Sequence, residues 1–145
     1  MEFSRHCTIN WTGSVMEGSG AVAAGSGAFS LPVTFPRRIG EPEGMTSPEE
    51  LMAAAHAACF AMALNGAVGR KGGAIAKTQI TCKVTADKGE AGIKITTSAL
   101  SLVAEGVTGL DAAALTAVAH EAESKCPVSN AYRGSMTVTL DVVVK

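Results

Sequence analysis

Charge is scarce in this sequence and almost evenly split: 17% of residues are charged, and 12 basic against 13 acidic side chains leave a formal net charge of −1. Without a basic excess the chain has little to neutralise phosphates or to hold an anionic membrane surface, so neither nucleic acid nor membrane is an expected partner. Internal repeats and low-complexity tracts are missing, and with 47% hydrophobic residues intrinsic disorder is excluded. The opening Met1-Glu2-Phe3-Ser4-Arg5-His6 lacks the apolar run of about 7 to 15 residues that marks a secretory signal, so a cytoplasmic protein is expected. Cysteines number only four. In a reducing compartment these serve as core, metal-binding or catalytic thiols rather than structural disulfides. A chain of 145 residues can bury a core without staples, and we expect a single domain over residues 1–145.

What is present reads as strands around one long helix. Residues 5 to 11 alternate, with Cys7, Ile9 and Trp11 on one side, and the glycine- and serine-rich stretch to Gly27 suggests hairpins of a meander. Residues 32 to 48 hold Pro32, Pro36, Pro42 and Pro48, and no regular element is expected there. Ser47-Pro48-Glu49-Glu50 then supplies a capping hydroxyl, a proline for the first turn and two carboxylates facing the positive end of a helix. From Leu51 to Leu64 every residue except His56 is apolar. Such a helix has no wet face, is too short to span a bilayer, and asks for a partner subunit to cover what one sheet leaves open. A hairpin follows, with strands at 77–86 and 93–103 around a turn at Asp87-Lys88-Gly89. Asp111 offers the cap of a second helix that Cys126-Pro127 breaks, a short helical turn follows from Val128 to Arg133, and a strand from Met136 to Val144 closes the chain.

The cysteines differ in setting. Cys7 and Cys82 fall in the apolar phase of strands, where a free thiol acts as a small hydrophobe. Cys59 lies among alanines, which leave room for a ligand, and Cys126 precedes a helix start, where free amides stabilise a thiolate. Two thiols are the minimum for a redox cycle in which one is oxidised to sulfenic acid and the other condenses with it. The reactive one needs a cation nearby. Candidates are His56, three residues before Cys59, although a buried imidazole tends to be neutral, and Arg37 or Arg38 from the proline-rich loop. Rival readings are a zinc-binding module built from His56, Cys59, His120 and Cys126, whose spacing is loose, and a non-enzymatic redox sensor.

The stretch from Ser47 to Leu64, Ser-Pro-Glu-Glu-Leu-Met-Ala-Ala-Ala-His-Ala-Ala-Cys-Phe-Ala-Met-Ala-Leu, with Cys126-Pro127-Val128-Ser129 downstream and Trp11-x-Gly13 early, resembles the osmotically inducible protein C family. That family and the related organic hydroperoxide resistance proteins are bacterial thiol-dependent peroxidases. The resemblance implies an α+β fold with antiparallel sheets wrapped around a long buried central helix in an intertwined homodimer. It implies Cys59 as the peroxidatic thiol, Cys126 as the resolving thiol, Glu49 as the family's glutamate, and Arg38 as its arginine, because Arg38-Ile39-Gly40-Glu41 resembles the family's sequence there. The activity implied is reduction of organic hydroperoxides through a Cys59 sulfenic acid and a Cys59–Cys126 disulfide, in defence against oxidative and osmotic stress. No bound cofactor is implied, but an external dithiol, a lipoyl-bearing protein or lipoamide, is needed as reductant. In a continuous helix, ten residues put Glu49 and Cys59 about 15 Å apart along the axis and roughly 80° apart around it. Glu49 then acts through Arg38 or comes from the partner chain. The side chains near Cys59, namely Ala55, Ala58, Phe60, Met62 and Ala63, are read as an apolar approach that favours organic hydroperoxides over hydrogen peroxide.

Overall fold

In the computed structural model, which describes residues 1–145, the first alternating segment forms β1 (Cys7–Thr12), and the glycine-rich stretch supplies β2 (Ser19–Ala24) and β3 (Ser30–Val33). They make the expected antiparallel meander in the order β1-β2-β3, with Cys7 opposite Ala24 and Gly20 opposite Val33. By Cα packing the chain divides into two compact units, Met1–Leu51 and Met52–Lys145. The meander belongs to the first. Every residue of β1 is exposed, Cys7 included, which corrects the reading of Cys7 as a core residue. Alternation placed it on the same face as Ile9 and Trp11, but no core layer lies on that face: all members of the hydrophobic core come from the second unit.

The proline-rich segment is more regular than expected. Thr34 caps a five-residue helix, α1 (Phe35–Ile39), accepting the Arg37 amide on its hydroxyl. Pro36 fits the first turn because its missing N–H would have no helical partner there. Next comes α2 (Pro48–Arg70), started as read from the sequence, with Ser47 Oγ accepting from the Glu50 amide at 3.1 Å and both glutamates in the first turn.

The second unit holds the remainder of α2, then β4 (Ala74–Gly89), β5 (Gly92–Thr108), α3 (Ala112–Lys125), α4 (Pro127–Tyr132) and β6 (Thr137–Val144). The hairpin strands run past Asp87-Lys88-Gly89, and the chain reverses at Glu90-Ala91, where Gly92 takes φ 115°, a region open to glycine. The sheet order is β4-β5-β6, and β6 lies parallel to β5 with Thr97 opposite Thr137. The sheet is therefore mixed, not antiparallel throughout. The α3–α4 crossover between β5 and β6 is the kind of connection a parallel pair requires.

Phe60, Leu64 and Val68 of α2 pack with Leu100, Leu102 and Ala104 of β5 and with Leu115, Val118, Ala119 and Ala122 of α3. One stripe of α2 is thus buried, while Ala54, Ala58 and Met62 on another stripe are exposed, Met62 at 72%. Burial all round, as expected from composition, does not occur within one chain. At 23 residues, with an 18-residue window of mean hydropathy 1.6, α2 is also long and apolar enough to cross a membrane, contrary to the shorter helix read from the sequence. Its buried stripe is instead part of a protein core.

Candidate active site

Two pairs of the side chains singled out in the sequence come together, one pair in each unit. In the first, α1 presents Arg38 to Glu49 in the first turn of α2. Arg38 Nε donates to Glu49 Oε1 and Oε2 at 3.1 Å each, and Nη2 donates to Oε1 at 2.6 Å. This fork-to-carboxylate contact is among the strongest side-chain pairings, and both side chains are largely shielded. Burial pushes the Glu49 carboxyl up, but hydrogen bonds from Arg38 and from its own amide, with the guanidinium charge, hold it below the ordinary glutamate range. The Glu49 hydrogen bond in turn raises Arg38, so the pair is ionised on both sides. Arg37 points elsewhere, to Glu43 at 2.6 Å, with both side chains well exposed. Of the two candidate arginines it is Arg38 that joins Glu49. Beside it lies a cavity of about 200 Å³ lined by Trp11, Val15, Val33, Phe35 and Pro48, with Arg38 as its charged member.

In the second unit, Cys59 of α2 meets Cys126, the residue between α3 and α4. Cys126 Sγ donates to Cys59 Sγ at 3.1 Å, and both are free thiols. Pro127 breaks α3 and starts α4, leaving the buried Cys126 at the junction. Burial raises the Cys59 thiol above its ordinary value, the Val128 amide of α4 opposes this by hydrogen-bonding the sulfur, and the Cys126 thiol and charge add to the rise. Within this unit the protonated form of the Cys59 thiol is thus favoured at neutral pH. Ala55, Ala58 and Met62 around it are exposed, but Phe60 is fully buried in the core and does not line an approach.

His56 does not act on either sulfur of that pair. It is fully buried, with Nδ1 2.7 Å from Ser98 Oγ and Nε2 2.7 Å from Ser129 Oγ, and its ring meets Tyr132 edge-on at 5.3 Å. Burial lowers its pKa, keeping it neutral. Cys82, packed against the core as expected, lies 3.3 Å from Ser98 Oγ. With both imidazole nitrogens engaged by serines and His120 exposed on α3, the conceivable zinc set of His56, Cys59, His120 and Cys126 does not assemble. Ser98 and Tyr132 were not singled out from the sequence, and Ser129 entered only within the Cys126-Pro127-Val128-Ser129 motif. Ser98 had a signal: it occupies the buried phase of β5 with Leu100, Leu102 and Ala104.

The OsmC-like protein family model matches residues 40–141. The chain is 40% identical to peroxiredoxin OsmC of Escherichia coli over 138 residues, covering 94% of this chain and 93% of that protein. It is 36% identical to the organic hydroperoxide resistance protein OhrA of Bacillus subtilis, covering 85% and 86%. A solved structure from Legionella pneumophila, described as an organic hydroperoxide resistance protein OsmC, aligns at a TM-score of 0.74 with 30% identity, over 94% of this chain and 96% of that one. The α+β architecture with its long helix accords with these matches, and the chain belongs to the OsmC-like protein family.

Proposed function

We propose that this protein is a cytoplasmic, homodimeric thiol peroxidase that reduces organic hydroperoxides in preference to hydrogen peroxide. The observation that carries the reading is the Cys59–Cys126 contact at 3.1 Å, and relatives named peroxiredoxin and organic hydroperoxide resistance protein support a peroxide as substrate. Thiolate Cys59 attacks the distal peroxide oxygen; an S–O bond forms, the O–O bond breaks, and the alkoxide leaves and takes a proton. Cys126 then attacks the sulfenic sulfur, the S–S bond forms and water departs. An external dithiol, for which lipoyl groups are the favoured candidate, reduces the disulfide and restores both thiols. Arg38, oriented by Glu49, is the cation that ionises Cys59 and stabilises charge on the departing oxygen. Preference for organic substrates rests on the alanine and methionine side chains near Cys59. Each methylene buried is worth about 0.8 kcal/mol, so even partial burial of an alkyl chain should favour it by at least about tenfold in kcat/KM.

The test is competition between cumene hydroperoxide and hydrogen peroxide with dihydrolipoamide as reductant, followed by peptide mapping. A Cys59–Cys126 bridge, loss of turnover in Cys59→Ser and the tenfold preference are expected. A main bridge to Cys7 or Cys82, or turnover surviving Cys59→Ser, would overturn the reading.

A further inference from the structure

The thiol contact is the first of three rungs between α2 and the Cys126–Tyr132 segment. One turn from Cys59, His56 meets Ser129, which stands one turn from Cys126, with Nε2 and Oγ 2.7 Å apart. A further turn along each, Tyr132 Oη donates to the Met52 carbonyl at 3.0 Å. The far nitrogen of His56 is fastened to Ser98 of β5, also at 2.7 Å, and Ser98 and Ser129 are both fully buried. A neutral imidazole has one donor and one acceptor, so one serine donates to it and the other accepts, and no buried polar atom is left unpaired.

From this ladder we infer that His56, through Ser129 and with Tyr132, is a positioning residue for the resolving thiol. The inference rests on the peroxidase reading above and deepens its second step. When Cys59 becomes a sulfenic acid, the added oxygen removes the thiol–thiol rung and pushes the sulfurs apart. The other two rungs do not involve sulfur and survive this change. They hold α4 against α2, so that Cys126 stays aimed at a sulfur it must approach by about 1 Å more than the present contact to reach bonding distance. Tight placement is what converts such a step into a fast unimolecular one. Without the rungs the segment is free to drift, the sulfenic acid lives longer, and a second peroxide carries it to sulfinic acid. His56 transfers no proton in this scheme: the Cys126 proton leaves in the water formed.

The experiment separates the two steps in the full-length protein. One equivalent of cumene hydroperoxide is added in the presence of excess dimedone, and mass spectrometry gives the ratio of Cys59 adduct to Cys59–Cys126 bridge; peroxide consumption gives the first step. Ser129→Ala and Tyr132→Phe each remove one hydroxyl. Ser129→Ala is expected to raise the adduct-to-bridge ratio about tenfold and the sulfinic fraction per turnover with it, Tyr132→Phe by a smaller factor, while peroxide consumption stays within about threefold of wild type. Ser129→Thr, which keeps the hydroxyl, should return the ratio toward wild type. An unchanged ratio in both hydroxyl-deletion variants, or an equal fall in both steps, overturns the positioning role. Absence of the bridge in the wild-type protein overturns the peroxidase reading itself, and this inference with it.

Discussion

The roles proposed for Arg38 and Cys59 can be taken apart by substitution. Inside its own unit the Cys59 thiol is pushed up by burial, so its reactivity at neutral pH depends on the cation assigned to it. Arg38→Ala is expected to move the pH profile of Cys59 alkylation to higher pH and to slow peroxide attack by at least about a hundredfold, the scale of losing one charged stabilising group. Arg38→Lys should rescue little, because an ammonium cannot reproduce the three hydrogen bonds that the guanidinium makes to Glu49. Glu49→Gln should leave the arginine charged but less well aimed, and fall between the two. His56→Gln should leave that profile in place. Iodoacetamide alkylation rates across pH, read peptide by peptide, decide the matter. An Arg38→Ala profile identical to wild type with a shifted His56→Gln profile would transfer the activating role to the imidazole. At this scale the sequence was informative about Cys59, Cys126, Arg38 and Glu49, since each sits in a distinctive local motif. It was silent on Tyr132 and gave Ser129 only as the end of a motif, because the contacts of both depend on the helix they face.

Helices were the most legible elements, because their caps are local chemistry. Ser47 before Pro48 and Asp111 before Ala112 both cap as read, Asp111 Oδ1 accepting from the Ala114 amide at 2.7 Å. The short α1 was hidden by the prolines in and around it, which read as breakers until Thr34 is seen to cap it and Pro36 to occupy its first turn. The parallel pairing of β6 was hidden for a different reason: alternation gives the face a strand buries but not the direction of its neighbour. Loops with positive φ are where sequence and backbone constrain each other most tightly. Gly109 joins β5 to α3 at φ 75°, and a Cβ there would collide with the Gly72 carbonyl oxygen and come within 3.0 Å of Gly73 Cα. Gly109→Ala therefore combines a strained backbone with a clash against main chain that has no flexible end to move. A loss of about 1–3 kcal/mol is expected, seen as a fall of several degrees in melting temperature with the peroxide reaction kept in the folded fraction. A melting temperature equal to wild type would show that the Gly72–Gly73 turn gives way without penalty.

For the molecule as a whole, the question the sequence raised and one chain leaves open is what covers α2. Its exposed stripe is made of Ala54, Ala58 and Met62, spaced four residues apart, so they share one face. Such a stripe lets another helix approach closely. A second copy of the chain, the occupant proposed above, would remove this surface from water. Met62 tests the idea cleanly because it is 72% exposed in the single chain. Replacing it by glutamate in a monomer changes stability by no more than about 0.5 kcal/mol, the usual range for surface positions. In a helix-to-helix dimer interface the same carboxylate is taken out of water, and the penalty is several kcal/mol, enough to weaken association by a factor of about a hundred or more. Sedimentation equilibrium should accordingly give twice the chain mass for wild type and a shift toward the single chain for Met62→Glu, with secondary structure by circular dichroism unchanged. Turnover should fall with the dimer fraction if the partner completes the site, and stay constant if each chain works alone. A wild-type protein that sediments as a single chain with full activity, or a Met62→Glu variant as firmly dimeric as wild type, would remove this face from the interface.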